Sequence, residues 1–149
     1  MFKFHLEAVL DYRRLKEEDL KKKMGELNQL LNKERQTHFS YLRMEENYRE
    51  EFSQRQIRGI AAFAAKWYFS YLDMLVTRIE VQESVLKSIE ERIEEKRREL
   101  VKASKEKKIL EKLKERQFMR FNQELNKKEQ MHFDESATYR HYFHPFLKK

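Results

Sequence analysis

Apolar residues recur along the first third of the chain in alternating steps of three and four. Leu6, Leu20, Leu27, Tyr41 and Tyr48 take one position of a seven-residue repeat; Leu10, Met24, Leu31 and Phe52 take the other. That spacing is the seam of a coiled coil. It predicts a first helix from about residue 4 to about residue 52. Arg13, Glu17, Glu34, His38 and Glu45 interrupt the seam with polar groups. His38 reads as a polar residue that helps to set register. Glu17–Lys21, Glu18–Lys22, Asp19–Lys23 and Glu45–Arg49 sit four apart with acid before base. Each such pair supports an exposed helix by a few tenths of a kcal/mol.

The same spacing returns further on. Leu72, Ile79, Leu86, Ile93 and Leu100 step by seven, with Leu75, Ile89, Ala103 and Leu110 at the second seam position. This predicts a second helix over about 67–143. Past Leu110 the apolar residues move to Leu113, Phe118, Phe121 and Leu125, which reads as a shift of register. Pro145 closes any helix that reaches it and leaves a short tail.

Between the two patterns the repeat is lost. Ser53 to Gly59 is polar, and Gly59 can take the left-handed conformation that a reversal needs. The reversal is expected over about 53–66. Gly25 lies inside a strong repeat and reads as a tolerated helix glycine, at a cost of ~1 kcal/mol. Two seams in one chain, joined by one break, can bury each other. The expected fold is therefore all-α: one coiled-coil domain over 1–149, an antiparallel two-helix hairpin with a longer, overhanging second helix. A parallel dimer of unbroken helices is the competing arrangement. With the turn centred near Gln56–Arg58, Leu6 would face Leu110. The segment from Glu111 to Phe143 would then project by ~45–50 Å at 1.5 Å per residue.

Composition sharpens this picture. Of 149 residues 40% are charged, and there are only two glycines and one proline, too few for the turns of a compact globule. The 11 Phe and 7 Tyr argue against disorder. The net charge of +7 is spread through mixed-sign sequence, so most of it belongs to solvated helix faces. The run Glu90 to Arg116 is of this kind. No cysteine is present, which excludes a disulfide framework. The opening residues lack the apolar core of a signal peptide, and the most apolar stretch, Gly59 to Leu72, is shorter than a membrane span. A cytoplasmic, soluble protein is expected.

Catalysis finds no footing: there is no phosphate-binding glycine loop, no nucleophile with a base placed by a concave scaffold, and carboxylates lie on helix surfaces. His141-x-x-His144 has helical metal spacing but lacks further ligands, so neither a metal nor a cofactor is expected. The chain instead looks built to bind proteins. Tyr41, Met44, Tyr48, Tyr71 and Leu75 are the candidate docking residues of an aromatic-rich region near the reversal that also holds Phe39, Phe52, Trp67, Tyr68 and Phe69. A two-helix seam cannot wholly absorb it, so some of Trp67, Tyr68, Phe69 and Tyr71 are expected to be exposed. The candidates either fill the seam or form a docking patch. Phe118, Phe121 and Leu125, with Lys112, Lys114 and Arg116, lie on or beside the expected overhang, where an apolar stripe on a basic helix suits docking into a groove. Nucleic-acid binding is the alternative, but Glu106, Glu111 and Glu115 break every basic run that it would use.

Several stretches carry a resemblance. The opening Phe2-Lys3-Phe4-His5-Leu6-Glu7-Ala8-Val9-Leu10-Asp11-Tyr12-Arg13 is similar to that of the flagellar FliJ family of bacterial type III export. So are Tyr71-Leu72 with Ile79-Glu80 and Gln82, and Leu110-Glu111-Lys112-Leu113-Lys114-Glu115-Arg116 followed by Glu129 and Asp134-Glu135-x-Ala137. The likeness covers roughly residues 2–140, and the tail from Tyr142 to Leu147 departs from it. The resemblance implies an antiparallel coiled coil like the central stalk of rotary ATPases. It also implies three partners: the flagellar export ATPase ring, the cytosolic domain of the export-gate membrane protein, and the export chaperones. The location it implies is cytoplasmic, peripheral to the inner face of the membrane at the flagellar base.

Overall fold

The computed structural model describes residues 1–143. Two helices account for nearly all of them: α1, Glu7–Arg58, and α2, Ala62–Phe143. No strand occurs among the described residues. The fold is an antiparallel two-helix coiled-coil hairpin whose second helix is the longer, 82 residues against 52.

The reversal is tighter than the sequence pattern suggests. Only Gly59, Ile60 and Ala61 separate the helices. Gly59 takes φ 88° and its N–H donates to the Gln56 carbonyl at 3.2 Å. This is a left-handed helix terminator, reached by glycine without the Cβ penalty. Arg55 and Arg58 occupy the last turn of α1, where cations favour the negative end of the helix. Residues 53–58 stay helical although they leave the seam and are exposed; nothing among them breaks a helix. The alanine-rich stretch from Ala62 is helical as well, so most of the residues expected within the reversal extend the two helices instead. At the other end, α1 begins at Glu7, later than expected, and the Glu7 N–H donates to the Phe4 carbonyl at 3.2 Å.

The helices divide between two compact units. The first, the hairpin unit, is Glu17–Lys102. Its core is Leu20, Leu27, Leu31 and Phe52 of α1 against Tyr68, Leu72, Leu75, Ile79 and Ile89 of α2, all buried. These are the seam positions, so the repeat does what its spacing requires. Polar seam residues are accommodated by pairing. Gln82 is buried, and its amide donates to the Glu34 carbonyl oxygen at 3.0 Å and to the Glu34 carboxylate. A slip of one seam step would bury that amide without its acceptors, so the contact favours the native register. Glu17, only 4% exposed, keeps Lys21 Nζ at 2.8 Å. His38 Nε2 lies 3.4 Å from Glu83. Gly25 sits within α1, with nothing within 4 Å of where a Cβ would stand.

The second, the terminal unit, joins Met1–Lys16 to the chain from Ala103 onward. Its buried residues are Phe4, Leu10 and Ala103. Along α2 the half-buried or buried positions 103, 107, 110, 114, 117 and 121 continue in steps of four and three. The register shift expected past Leu110 therefore does not occur. Phe121 belongs to the unbroken seam, while Phe118 and Leu125 lie beside it.

Candidate functional site

The aromatic region near the reversal, within the hairpin unit, is organised by the seam. Tyr48 packs with ring centroids 4.9 Å from Tyr68 and 4.2 Å from Tyr71. Phe52 stacks on Tyr68 at 5.1 Å and meets Phe69 edge-on at 5.1 Å. The Tyr68 hydroxyl donates to Glu51 at 3.2 Å. Burial, and then that hydrogen bond, hold the phenol above its ordinary pKa. Tyr41, Tyr48 and Tyr71 are half-buried, and Leu75, at 1% exposed, is core. Of the five residues singled out here from sequence, only Met44 is exposed.

The surplus aromatic area is real but resides elsewhere. Ile57, Phe63, Trp67 and Phe69 are exposed, Trp67 by 66% and Phe63 by 74%. Phe63 and Trp67 are one turn apart and meet edge-on at 6.3 Å. Their positions fall on the side of α2 turned away from Tyr68, Leu72 and Leu75. The helical angle from the seam would have identified them. For Ile57 and Phe63 the reversal expected over 53–66 hid that signal; Trp67 and Phe69 lay within the expected second helix.

The terminal unit pairs its two segments by charge as well as by apolar contact. Lys114 Nζ donates to Glu7 at 2.8 Å, the Arg13 guanidinium pairs with Glu106, and Arg14 Nε lies 3.6 Å from Glu111. Phe2 meets Phe118 edge-on at 5.4 Å and Phe121 at 5.7 Å. The uncovered part of α2 thus starts near Gln123 rather than Glu111. The reason is geometric. Glu7 faces Lys114 because the turn is centred on Ile60, a few residues later than Gln56–Arg58, and each residue of shift moves the facing position by two. Residues 2–6 then cover a further stretch.

This relocates the expected site residues. Lys114 is half-buried in an ion pair, and Phe121 is half-buried in the seam. Lys112, Arg116, Phe118 and Leu125 are exposed. Beyond them, every residue from Gln123 to Tyr142 except Ser136 is exposed, including Met131, Phe133, Tyr139 and Tyr142. This uncovered segment is not basic. It carries Lys127, Lys128 and Arg140 against Glu124, Glu129, Asp134 and Glu135. The cationic cluster lies just before it, at Lys112, Lys114, Arg116 and Arg120. His144 and most of the aromatic tail fall outside the described residues.

Among the described residues no group of three or more His, Asp or Glu side chains could hold a metal, and no helix is long and apolar enough to cross a membrane. What the two regions offer is surface: an aromatic turn and a bare helical stripe.

The family profile described as "Flagellar FliJ protein" matches residues 2–144. No curated protein matches the chain. A solved structure from Chlamydia trachomatis, described as a proposed YscO homolog, CT670, is similar with a TM-score of 0.66 and 20% sequence identity; the likeness covers 99% of this chain and 100% of that one. At that identity it establishes the fold.

Proposed function

The chain belongs to the flagellar FliJ family, components of the type III export apparatus, and from that premise we propose that it is a non-catalytic, stalk-like coiled coil linking the export ATPase ring, the cytosolic domain of the export-gate membrane protein and the export chaperones. It works in the cytoplasm, at the inner face of the membrane beneath the flagellum. The observation that carries this reading is the length of α2 that has no covering partner. A helix that presents Leu125, Met131 and Phe133 to water, with no second helix laid over them, gains most by docking into another protein. Lys112, Arg116 and Arg120 stand immediately before the bare stripe. They would steer its approach to an acidic ring, while the apolar side chains set the rate of leaving. Leu125 is the contact residue best placed on that stripe; Phe118 lies just before it, exposed although it meets Phe2, and Met44 is a separate candidate in the hairpin unit.

The test is a truncation after Asn122, which keeps the hairpin unit whole and, in the terminal unit, the ion pairs and ring contacts between the start of the chain and α2. Stimulation of ATP hydrolysis by the purified export ATPase is measured with full-length and truncated chains, at low and moderate salt. Loss of stimulation in the truncated chain, with helicity of the remainder preserved, is the expected result. Equal stimulation by the truncated chain would assign ring binding to another surface.

A further inference from the structure

The reversal of the hairpin unit carries a second binding chemistry, unrelated to the bare stripe. From Phe52 to Leu72 the chain runs for 21 residues without a single Asp or Glu, in a protein that has 26 of them among 149 residues. The same stretch holds Arg55, Arg58 and Lys66. Arg55 lies 3.5 Å from Glu51 and over the Tyr68 ring, so its charge is partly engaged. Arg58 and Lys66 are exposed and take part in no ion pair among the described residues.

Apolar groups accompany these cations. Ile57 is 79% exposed, and Phe63 and Trp67 form one outward stripe with Lys66 between them in sequence. A turn between two helices is convex. Such a surface can present its apolar side chains together to a flat boundary. Tryptophan beside arginine and lysine is the combination that settles where hydrocarbon meets headgroup: the indole accepts the mixed environment, the aliphatic stems reach out of the apolar layer, and the cations meet anionic phosphates. The carboxylates that such a surface would repel are missing from all 21 residues of this stretch.

We propose that the turn of the hairpin unit docks directly on an anionic phospholipid surface, with Ile57, Phe63 and Trp67 entering the headgroup layer and Arg58 and Lys66 pairing with lipid phosphates. This contact is independent of the family reading, which places the protein near the membrane only through other proteins.

Trp67 is the chain's one tryptophan, so the unaltered protein reports on itself. The experiment titrates the full chain with vesicles of phosphatidylcholine alone, and with vesicles in which part is replaced by phosphatidylglycerol. It follows Trp67 emission and its quenching by acrylamide, together with vesicle flotation. The expected result is a blue shift and protection from quenching on the anionic vesicles only, both weakened by salt. Arg58→Glu with Lys66→Glu should lower vesicle partitioning at least about tenfold, with circular dichroism unchanged because both side chains are exposed. The proposal is overturned if Trp67 responds to neither lipid, or equally to both. Flotation with Trp67 still open to quencher also overturns it, since another region would then make the contact. A Trp67 shift produced by cytosolic extract but not by vesicles would mean that a protein covers the turn, and would overturn it too.

Discussion

The hairpin unit and the terminal unit are made of the same helices, and they use the seven-residue repeat to different ends. In the hairpin unit both segments carry apolar seam residues, and each is buried by the other from Leu20 to Ile89. In the terminal unit the repeat persists along α2 to Phe121, but only Met1–Lys16 stand opposite, and three ion pairs supplement a short apolar core. Further on the helix still carries large apolar side chains, with nothing over them. The spacing of apolar residues thus says which face of a helix is sticky. It does not say whether that face is covered by the chain itself, which depends on the length of the opposing segment and the position of the turn.

The largest expected effect tests that difference at the two most deeply buried leucines. Leu75→Ala in the hairpin unit and Leu10→Ala in the terminal unit remove similar side chains, 1% and 0% exposed. Each should cost about 3 kcal/mol, within the range for leucine truncation in a packed core. The consequences should differ. Leu75→Ala should lower global stability in urea, because the hairpin unit contains the reversal that pairs the helices. Leu10→Ala should raise amide exchange in the terminal unit and leave protection in the hairpin unit near wild type. Equal loss of protection everywhere after Leu10→Ala would mean that the two units melt as one.

Next in size is Phe2→Ala. Phe2 is half-buried, and its edge-on contacts with Phe118 and Phe121 hold the non-helical start of the chain against α2. Aromatic contacts of this kind add about 1 kcal/mol beyond the area they bury. The substitution should free the first residues to proteolysis and expose Phe121, with no change in the hairpin unit. Unchanged cleavage would show that Phe4 alone anchors the segment.

The two regions also differ in how far the sequence reveals them. The hairpin was legible because its evidence is periodic: seam residues such as Leu27, Leu31, Leu72 and Ile79 announce their face by spacing alone. Of the polar interruptions only His38 reads as a register residue; the pairing of Gln82 with Glu34 is not read from the sequence. The start of the uncovered segment was not legible. It depends on the turn centre, and a polar stretch such as 53–58 has no seam to show that it stays helical. The aromatic patch was half legible. Counting predicts a surplus of rings beside a narrow seam, but choosing Trp67 over Tyr71 requires the helical angle. Tyr48 and Leu75 already stood at seam positions by spacing, and the seam is where they and Tyr71 lie.

The smallest expected effect concerns Tyr68, whose counterpart the terminal unit lacks among its seam residues. Its ring stacks on Phe52 and its hydroxyl donates to Glu51. Burial, and then the carboxylate partner, raise its pKa above the ordinary value near 10. The neutral phenol is the form that the folded state favours. Its contribution is therefore complete below the unfolded pKa and is lost as pH rises through the folded value, while the unfolded chain ionises earlier. Tyr68→Phe retains the ring and deletes the hydroxyl. The variant should lose a little stability at neutral pH, less than either change above, and should also lose this part of the alkaline decline. Urea titrations of wild type and variant between about pH 9 and 11 give the comparison, with exchange at hairpin-unit amides as the local reading. If the two proteins decline in parallel, Tyr68 ionises as freely in the folded hairpin as in the unfolded chain, and its bond to Glu51 carries no share of the pH dependence.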